Sequence, residues 1–349
     1  MTTSEPRPQN PVVEAIDDES GRHLTTVDGW RRFIALAPTP PDLLGSSARR
    51  HLSKTEEDSY DAARLEHHAR LLVVATSTVR HTVTCGRRLV LLNRHAISAR
   101  RGLIVSGPAG TGKTISITQL GRSHELTDRA RHPHSTDRIP VVYITVPPAA
   151  TARMVAAEFG RFLGLPVRNR LNITDIIEAV VGVLTDTRCG LILVDELHNI
   201  SLASRSGAEV ADTLKYFSER IPATFVYAGI DIEHSDLLSG TRGAQIAGRF
   251  TLITTEPFPY GPEWQGLVAT LEQTLLLHDH KPGTLTGLDR YLHHRTGGMI
   301  GALSHQIRGA AIDAILTGTE EITKQSLEAI PLDHTAETSR PRTTSGNRR

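Results

Sequence analysis

The chain has 349 residues, with 39 Lys and Arg against 38 Asp and Glu, long enough for one nucleotide-domain-sized unit with smaller attachments. An apolar content of 39% and a charged content of 22% are those expected of a soluble globular protein, not of a disordered or membrane one. A formal net charge of +1 decides nothing about a nucleic-acid partner, because distribution matters more than the total.

Residues 1–25 are polar, carry Pro6, Pro8 and Pro11, and read as a flexible arm. Their first ten, MTTSEPRPQN, lack the basic and apolar regions of a secretory signal. The longest apolar runs, such as LLVVATSTV at 71–79, are too short and polar to span a bilayer. A cytoplasmic protein with no membrane partner is therefore expected. Cys85 and Cys189 lie far apart and outside any CxxC pair, which predicts buried free thiols rather than a disulfide.

A helical region is expected over 26–100, entered through the proline-stiffened connector APTPPDLLG at 37–45. Ser53 with Glu56 fits a capping box, and Leu65, Ala69, Leu72, Val73, Val79 and Val83 recur on one face. From 101 to 260 strands and helices alternate. GLIVSG (102–107) reads as a buried strand, followed by a glycine loop and a helix from 113. PVVYITV (140–146) is the second strand, and Ile177, Val180, Val181 and Leu184 mark a helix over 174–187 capped by Thr174. LILVD (191–195) is the third strand, and Val210, Leu214, Phe217 and Ile221 mark the helix after it. TFVYAGI (224–230) and FTLITTEPF (250–258) supply two more strands. This alternation predicts an α/β fold, a three-layer domain with a mainly parallel sheet.

Beyond 260 the strands stop. Trp264, Leu267, Val268, Leu271 and Leu275 form one helix face, and further helices are expected over 284–295, 299–317 and 323–330. Residues 261–331 thus read as a small all-helical domain, and the basic tail 332–349 as disordered.

GPAGTGKT, comprising Gly107, Pro108, Ala109, Gly110, Thr111, Gly112, Lys113 and Thr114, matches GxxxxGKT between a strand and a helix. Glycines there let successive backbone N–H groups point at phosphate oxygens, and the helix N-terminus adds partial positive charge. Lys113 would reach the outer phosphates of a nucleotide such as ATP, and the Thr114 hydroxyl would ligate Mg²⁺. The acidic end of LILVDELHNI then has a purpose, because ligands of a parallel sheet gather at the carboxyl ends of its strands. Asp195 would hold the magnesium through water, and Glu196 would orient and deprotonate the attacking water. An Asp-Glu pair in this place characterises P-loop enzymes that hydrolyse nucleotide with a carboxylate base. Zinc explains His198 poorly, since neither HExxH nor paired CxxC spacing is present.

DELHNI, ADTLKYFSERIPATFVYAGID, GAQIAGRF, TGGMIGALSHQIRGAAIDAI and EEITKQSLEAI together resemble the TniB/TnsC family of transposition ATPases, AAA+ proteins related to IstB-type helper ATPases. The resemblance covers about 100–330. It implies a P-loop (AAA+) domain with a C-terminal helical lid and an N-terminal helical extension. Gly107 to Thr114 would be the Walker A loop, and Asp195 with Glu196 the Walker B pair. His198 and Asn199 match the polar residues after that pair, which either relay nucleotide state or build a loop hydrogen-bond network. Arg249 matches the position from which such subunits insert an arginine finger into a neighbour's site, with Arg242 as the alternative. Gly229, Ile230 and Asp231 stand where relatives place a small polar sensor, so Asp231 would substitute only against repulsion from the γ-phosphate. Ile300 and Gly301 stand where many AAA+ proteins carry a lid arginine, which implies slow hydrolysis.

Arg87, Arg88, Arg94, Arg100 and Arg101 lie in the acid-free run 85–101. They either track a phosphate backbone, sequence-independently, or decorate a solvated helix face. Clustered aromatics for base stacking are absent, which disfavours a single-strand binder. The expectation is an ATP-dependent regulator of transposition that oligomerises as a ring or filament on duplex DNA and recruits or activates a transposase. A helicase loader or replication initiator, a nucleotide-gated switch with protein partners only, and a metabolite kinase are the competing readings.

Overall fold

The computed structural model describes residues 23–36, 39–167, 172–200, 205–234 and 248–332. Four helices precede the sheet: α1 (Val27–Ala35), α2 (Ser46–Arg50), α3 (Lys54–Ala69) and α4 (Ser77–Asn93). The strands are β1 (Gly102–Ser106), β2 (Val141–Thr145), β3 (Leu191–Asp195), β4 (Thr224–Gly229) and β5 (Phe250–Thr254). Among them run α5 (Lys113–Arg131), α6 (Ala152–Phe162), α7 (Ile173–Asp186) and α8 (Arg205–Arg220). The C-terminal helices are α9 (Pro262–Glu272), α10 (Asp289–Thr296), α11 (Ile300–Thr317) and α12 (Lys324–Ala329). No helix among the described residues is long and apolar enough to cross a membrane.

All pairings are parallel, in the order β2-β3-β4-β1-β5. Every residue of β1, β3 and β4 is buried, as expected of parallel strands covered by helices on both faces. That covering explains why they read as near-continuous aliphatic runs. At the edge, β5 buries only Ile253 and stops at Thr254, short of the expected 258. Pro257 has no N–H for the ladder, and Phe258 instead packs in the core of the C-terminal helices, its N–H donating to the Gly298 carbonyl at 2.9 Å.

Helix α1 lies inside the helical region expected over 26–100, whereas α6 lacks an expected counterpart. Trp30 of α1 is buried, its indole N–H donating to Glu125 of α5 at 3.1 Å, and α6 buries Val155, Ala156, Phe159 and Phe162 behind a Thr151 cap. In α7 the cap is Asn172 rather than Thr174, its side chain accepting from the Asp175 N–H at 2.8 Å. Cys85 and Cys189 are buried free thiols.

The Ser53–Glu56 capping box is present, but the apolar face expected to continue through 65–83 is broken. Thr76 starts a second cap by accepting from the Val79 N–H, so residues 70–76 run between two separate helices. The reason lies in what the two helices pack on. Arg64 of α3, wholly buried, donates to both carboxylate oxygens of Glu320 (2.7 and 2.8 Å) and to the Leu276 carbonyl. By contrast, α4 packs Cys85 and Leu89 into the core of the sheet. The connection therefore crosses from one core to the other.

Candidate active site

After Ser106 the chain turns through Gly107–Thr114 into α5. Gly107 has φ 150, and a Cβ there would lie 2.0 Å from the Thr255 carbonyl, so only glycine fits. The Thr111 hydroxyl donates to the Pro108 carbonyl (2.8 Å) and shares a 2.6 Å hydrogen bond with the Thr255 hydroxyl. The loop is thus pinned to the end of β5. Lys113 is 9% exposed and donates from Nζ to the Pro108 carbonyl at 2.7 Å. Burial lowers its pKa below the ordinary lysine value, against the attraction of Asp195, Glu196 and Asp231.

Asp195 closes β3 and is 2% exposed. Its Oδ2 accepts from the Thr114 hydroxyl (2.7 Å) and from the Tyr143 hydroxyl (3.0 Å), and its Oδ1 from the Glu196 N–H (2.9 Å). Three donors fix this carboxylate. Glu196 takes a left-handed backbone, φ 57 and ψ 36, a costly conformation for a residue with a side chain. The Glu196 carboxylate lies beside His198, with 3.3 Å between Oε2 and the His198 Nε2. The His198 Nδ1 accepts from the Ile230 N–H at 3.4 Å, which assigns the ring proton to Nε2. The Asn199 amide donates to the Val146 carbonyl at 2.8 Å. His198 and Asn199 therefore tie the turn after β3 to the ends of β4 and β2. Asp231 is exposed, also left-handed at φ 47, and acts on Lys113 through its charge.

Above the loop lies a cavity of about 370 Å³. Glu196 and Ile230 line one side, and Leu71, Leu72 and Val73 from the α3–α4 connection line another. Ile300, Gly301 and Ser304 of α11 close it. The Gly301 N–H donates to the Gly110 carbonyl at 3.1 Å, and a Cβ on Gly301 would stand 3.2 Å from that oxygen. Helix α11 therefore rests directly on the glycine loop. The Ser304 hydroxyl is buried with no hydrogen-bond partner, a group that a ligand in the cavity would satisfy.

A sequence profile described as TniB, bacterial TniB protein, matches residues 83–260, just over half of the chain. The chain belongs to the TniB family. No curated protein matches it. Among solved structures it is similar to the Aeropyrum pernix ORC1 protein in complex with DNA, at 14% identity and a TM-score of 0.56. That likeness covers 78% of this chain and 66% of the other, just under two thirds of its length. The Aeropyrum pernix ORC2 protein with ADPNP and ADP gives 18% identity, a TM-score of 0.57, and coverage of 77% and 68%. Drosophila ORC bound to DNA gives 17%, 0.50, 86% and 72%. Identities this low establish a shared fold, and that fold is the AAA+ type: a parallel five-stranded sheet flanked by helices, with a helical C-terminal region.

In this TniB-family chain the structure brings Lys113, Thr114, Asp195, Glu196 and His198 together and leaves Arg249 elsewhere. Arg249 immediately precedes β5, 4.0 Å from Glu219, at the strand ends remote from the loop. Arg242 lies outside the described residues. Tyr143, Thr255, Ser304 and the 71–73 wall were missed by sequence reasoning. Tyr143 carried one signal, the single aromatic residue in the run PVVYITV.

Proposed function

We infer that this TniB-family chain is a slow, magnesium-dependent ATP hydrolase that assembles with ATP on duplex DNA and recruits or activates a transposase. The observation that carries the reading is the meeting of Lys113 and Thr114 with Asp195 and Glu196 at the carboxyl ends of β1 and β3. Magnesium suits this set: Thr114 Oγ1 and Asp195 Oδ2 are hard oxygens 2.7 Å apart, and such a cation takes one or two carboxylates, the substrate phosphates and water. No cluster of three His, Cys, Asp or Glu stands among the described residues, so phosphate oxygens would complete the coordination. Bound there, the cation would neutralise charge developing on the phosphates.

Each residue then has a task. The loop amides and Lys113 hold phosphate, Thr114 and Asp195 hold the cation, and Glu196 removes a proton from water. The His198 N–H restrains the Glu196 carboxylate, so the turn after β3 can transmit its position to β4. Among the described residues, the lid side of the cavity is lined by Ile300, Gly301 and Ser304 and by no cation, which supports slow turnover. The related solved structures include proteins bound to DNA and to ADPNP and ADP, which supports both ligand classes. Acting on DNA would place the chain in the cytoplasm.

The test uses two variants. Lys113→Ala should lose nucleotide binding. Glu196→Gln should bind ATP, turn over at least a hundredfold more slowly, and stay retained on linear duplex in a filter assay. Unchanged turnover in Glu196→Gln would remove the assigned base, and retention indifferent to ATP or ADP would remove the switch.

A further inference from the structure

In a parallel sheet the flanking helices run against the strands, so helix C-termini and strand N-termini share one face. Here that face opposes the phosphate loop, one five-residue strand away, or about 17 Å. Beneath the N-terminal ends of β3 and β4 it opens into a basin of about 640 Å³. Arg87 enters the basin from within α4 and Arg94 from its C-cap, Arg131 from the end of α5, Arg138 from the loop before β2, and Arg188 from the turn before β3. Asp128 is the one acid lining it among the described residues, and Arg138 already engages it twice at 2.7 Å. Arg87, Arg94, Arg131 and Arg188 form no ion pair or side-chain hydrogen bond among the described residues.

Cations at helix C-termini complement the helix dipole, worth about 0.3–1 kcal/mol each. That accounts for Arg94 and Arg131, which sit in the last turn or cap. It does not account for Arg87, which lies more than one turn from the end of α4. Nor does it account for Arg188. This residue lies beyond α7 in the left-handed region, φ 57, with the Cys189 N–H bonded back to the Leu184 carbonyl at 2.9 Å. Glycine is the favoured residue at such a helix end; an arginine there accepts strain and points its charge into the basin. The floor is rigid: Asn93 is buried, and its amide holds the Arg101 backbone (2.7 and 2.9 Å) and the Thr224 hydroxyl (2.9 Å).

We propose that this arginine basin, opposite the nucleotide, binds the phosphodiester backbone of duplex DNA. The inference rests on the DNA-binding reading above and gives it a location. Arginine forks match phosphate oxygens in pairs. Among the described residues no Phe, Tyr or Trp lines the basin, so it offers no stacking platform for single strands and no aromatic anchor of the kind that dominates protein interfaces. Of the five arginines in 85–101, only Arg87 and Arg94 face it. Arg88 donates to Cys85 on its own helix, and Arg100 and Arg101 line a smaller hollow beside Arg249.

The experiment measures affinity for a linear duplex against salt concentration, with the whole chain and a non-hydrolysable ATP analogue. Each phosphate contact contributes about 0.9 to the slope of log K on log salt. Arg87→Gln with Arg188→Gln should make that slope shallower by about 1.8 and weaken binding at least tenfold at low salt. Nucleotide affinity and melting temperature should not change, and the matching lysine pair should keep the slope. If the glutamine pair fails to fold, Arg94→Gln with Arg131→Gln gives the same readout. A wild type that binds duplex while the glutamine pair keeps its slope overturns the site and leaves the DNA reading standing. A wild type that binds no duplex in any nucleotide state overturns that reading and the site with it.

Discussion

Asp195 is held by three donors, and the Tyr143 hydroxyl is the one that comes from a neighbouring strand. Tyr143 pairs with Leu193 across β2 and β3 and reaches diagonally to Asp195 two residues on, a distance that aromatic side chains span. Burial and the neighbouring Asp195 charge raise its pKa, so it is a neutral donor at any physiological pH. Its ring also stacks on Trp30, centroids 6.1 Å apart, which locks the hydroxyl in place. A hydrogen bond to a buried carboxylate contributes about 1.5–3 kcal/mol. Tyr143→Phe keeps the ring and deletes the donor, so the magnesium concentration for half-maximal hydrolysis should rise about tenfold. The KM for ATP at saturating magnesium should stay put. A proportional change in both would mean that Tyr143 only supports the fold. The glycine loop was legible in the sequence because backbone geometry dictates residue type at each position. Tyr143 was not, because its role depends on the register of two strands whose pairing no local pattern announces.

Helix α3 shows the same division between local and distant information. Its capping box joins Ser53 to Glu56 and could be read directly; its partner Glu320 is 256 residues away from Arg64 and could not. Leu72 and Val73 continue the helical spacing of Leu65 and Ala69, yet residues 71–73 serve as a wall of the cavity because α3 and α4 belong to different cores. His68 sits at that joint. It is 4% exposed, its Nε2 accepts from the Leu276 N–H at 3.2 Å, and its carbonyl accepts from Arg308. Burial, with help from His67, Arg64 and Arg308, pushes its pKa down to about 4 from 6.5. Above pH 6.5 both folded and unfolded states keep the ring neutral, and the full stability is present. As pH falls toward 4 only the unfolded state gains the proton, so stability falls. His124, also pushed down to about 4 by burial, adds a loss of the same sign. Thermal melts of the wild type should therefore drop between pH 6.5 and 4. His68→Gln retains an acceptor for the Leu276 N–H and should remove on the order of 2 kcal/mol of that loss. An equal slope in the variant would show that the joint does not titrate.

At the scale of the molecule, the parallel sheet holds its two ends about one strand length apart. The register pairs Phe250 with Gly102 and Thr254 with Ser106, so Arg249 stands level with the start of β1 while the phosphate loop begins after its end. A strand length of about 17 Å lies between them, beyond the reach of an arginine side chain. If Arg249 acts in hydrolysis, it acts on a second copy of the chain. Such a head-to-tail interface closes into a ring or runs on as a filament. An arginine finger is worth a thousandfold or more in rate, so Arg249→Ala should bind ATP normally and turn over at background. Lys113→Ala should also be inactive while retaining its arginine. Mixed in equal amounts, each pair of neighbours that sets an intact loop beside an intact arginine regains a working site. Random assembly should restore about a quarter of the wild-type rate per subunit. A mixture as dead as its components, although the two variants co-assemble on a sizing column, would leave Arg249 as a surface residue paired with Glu219.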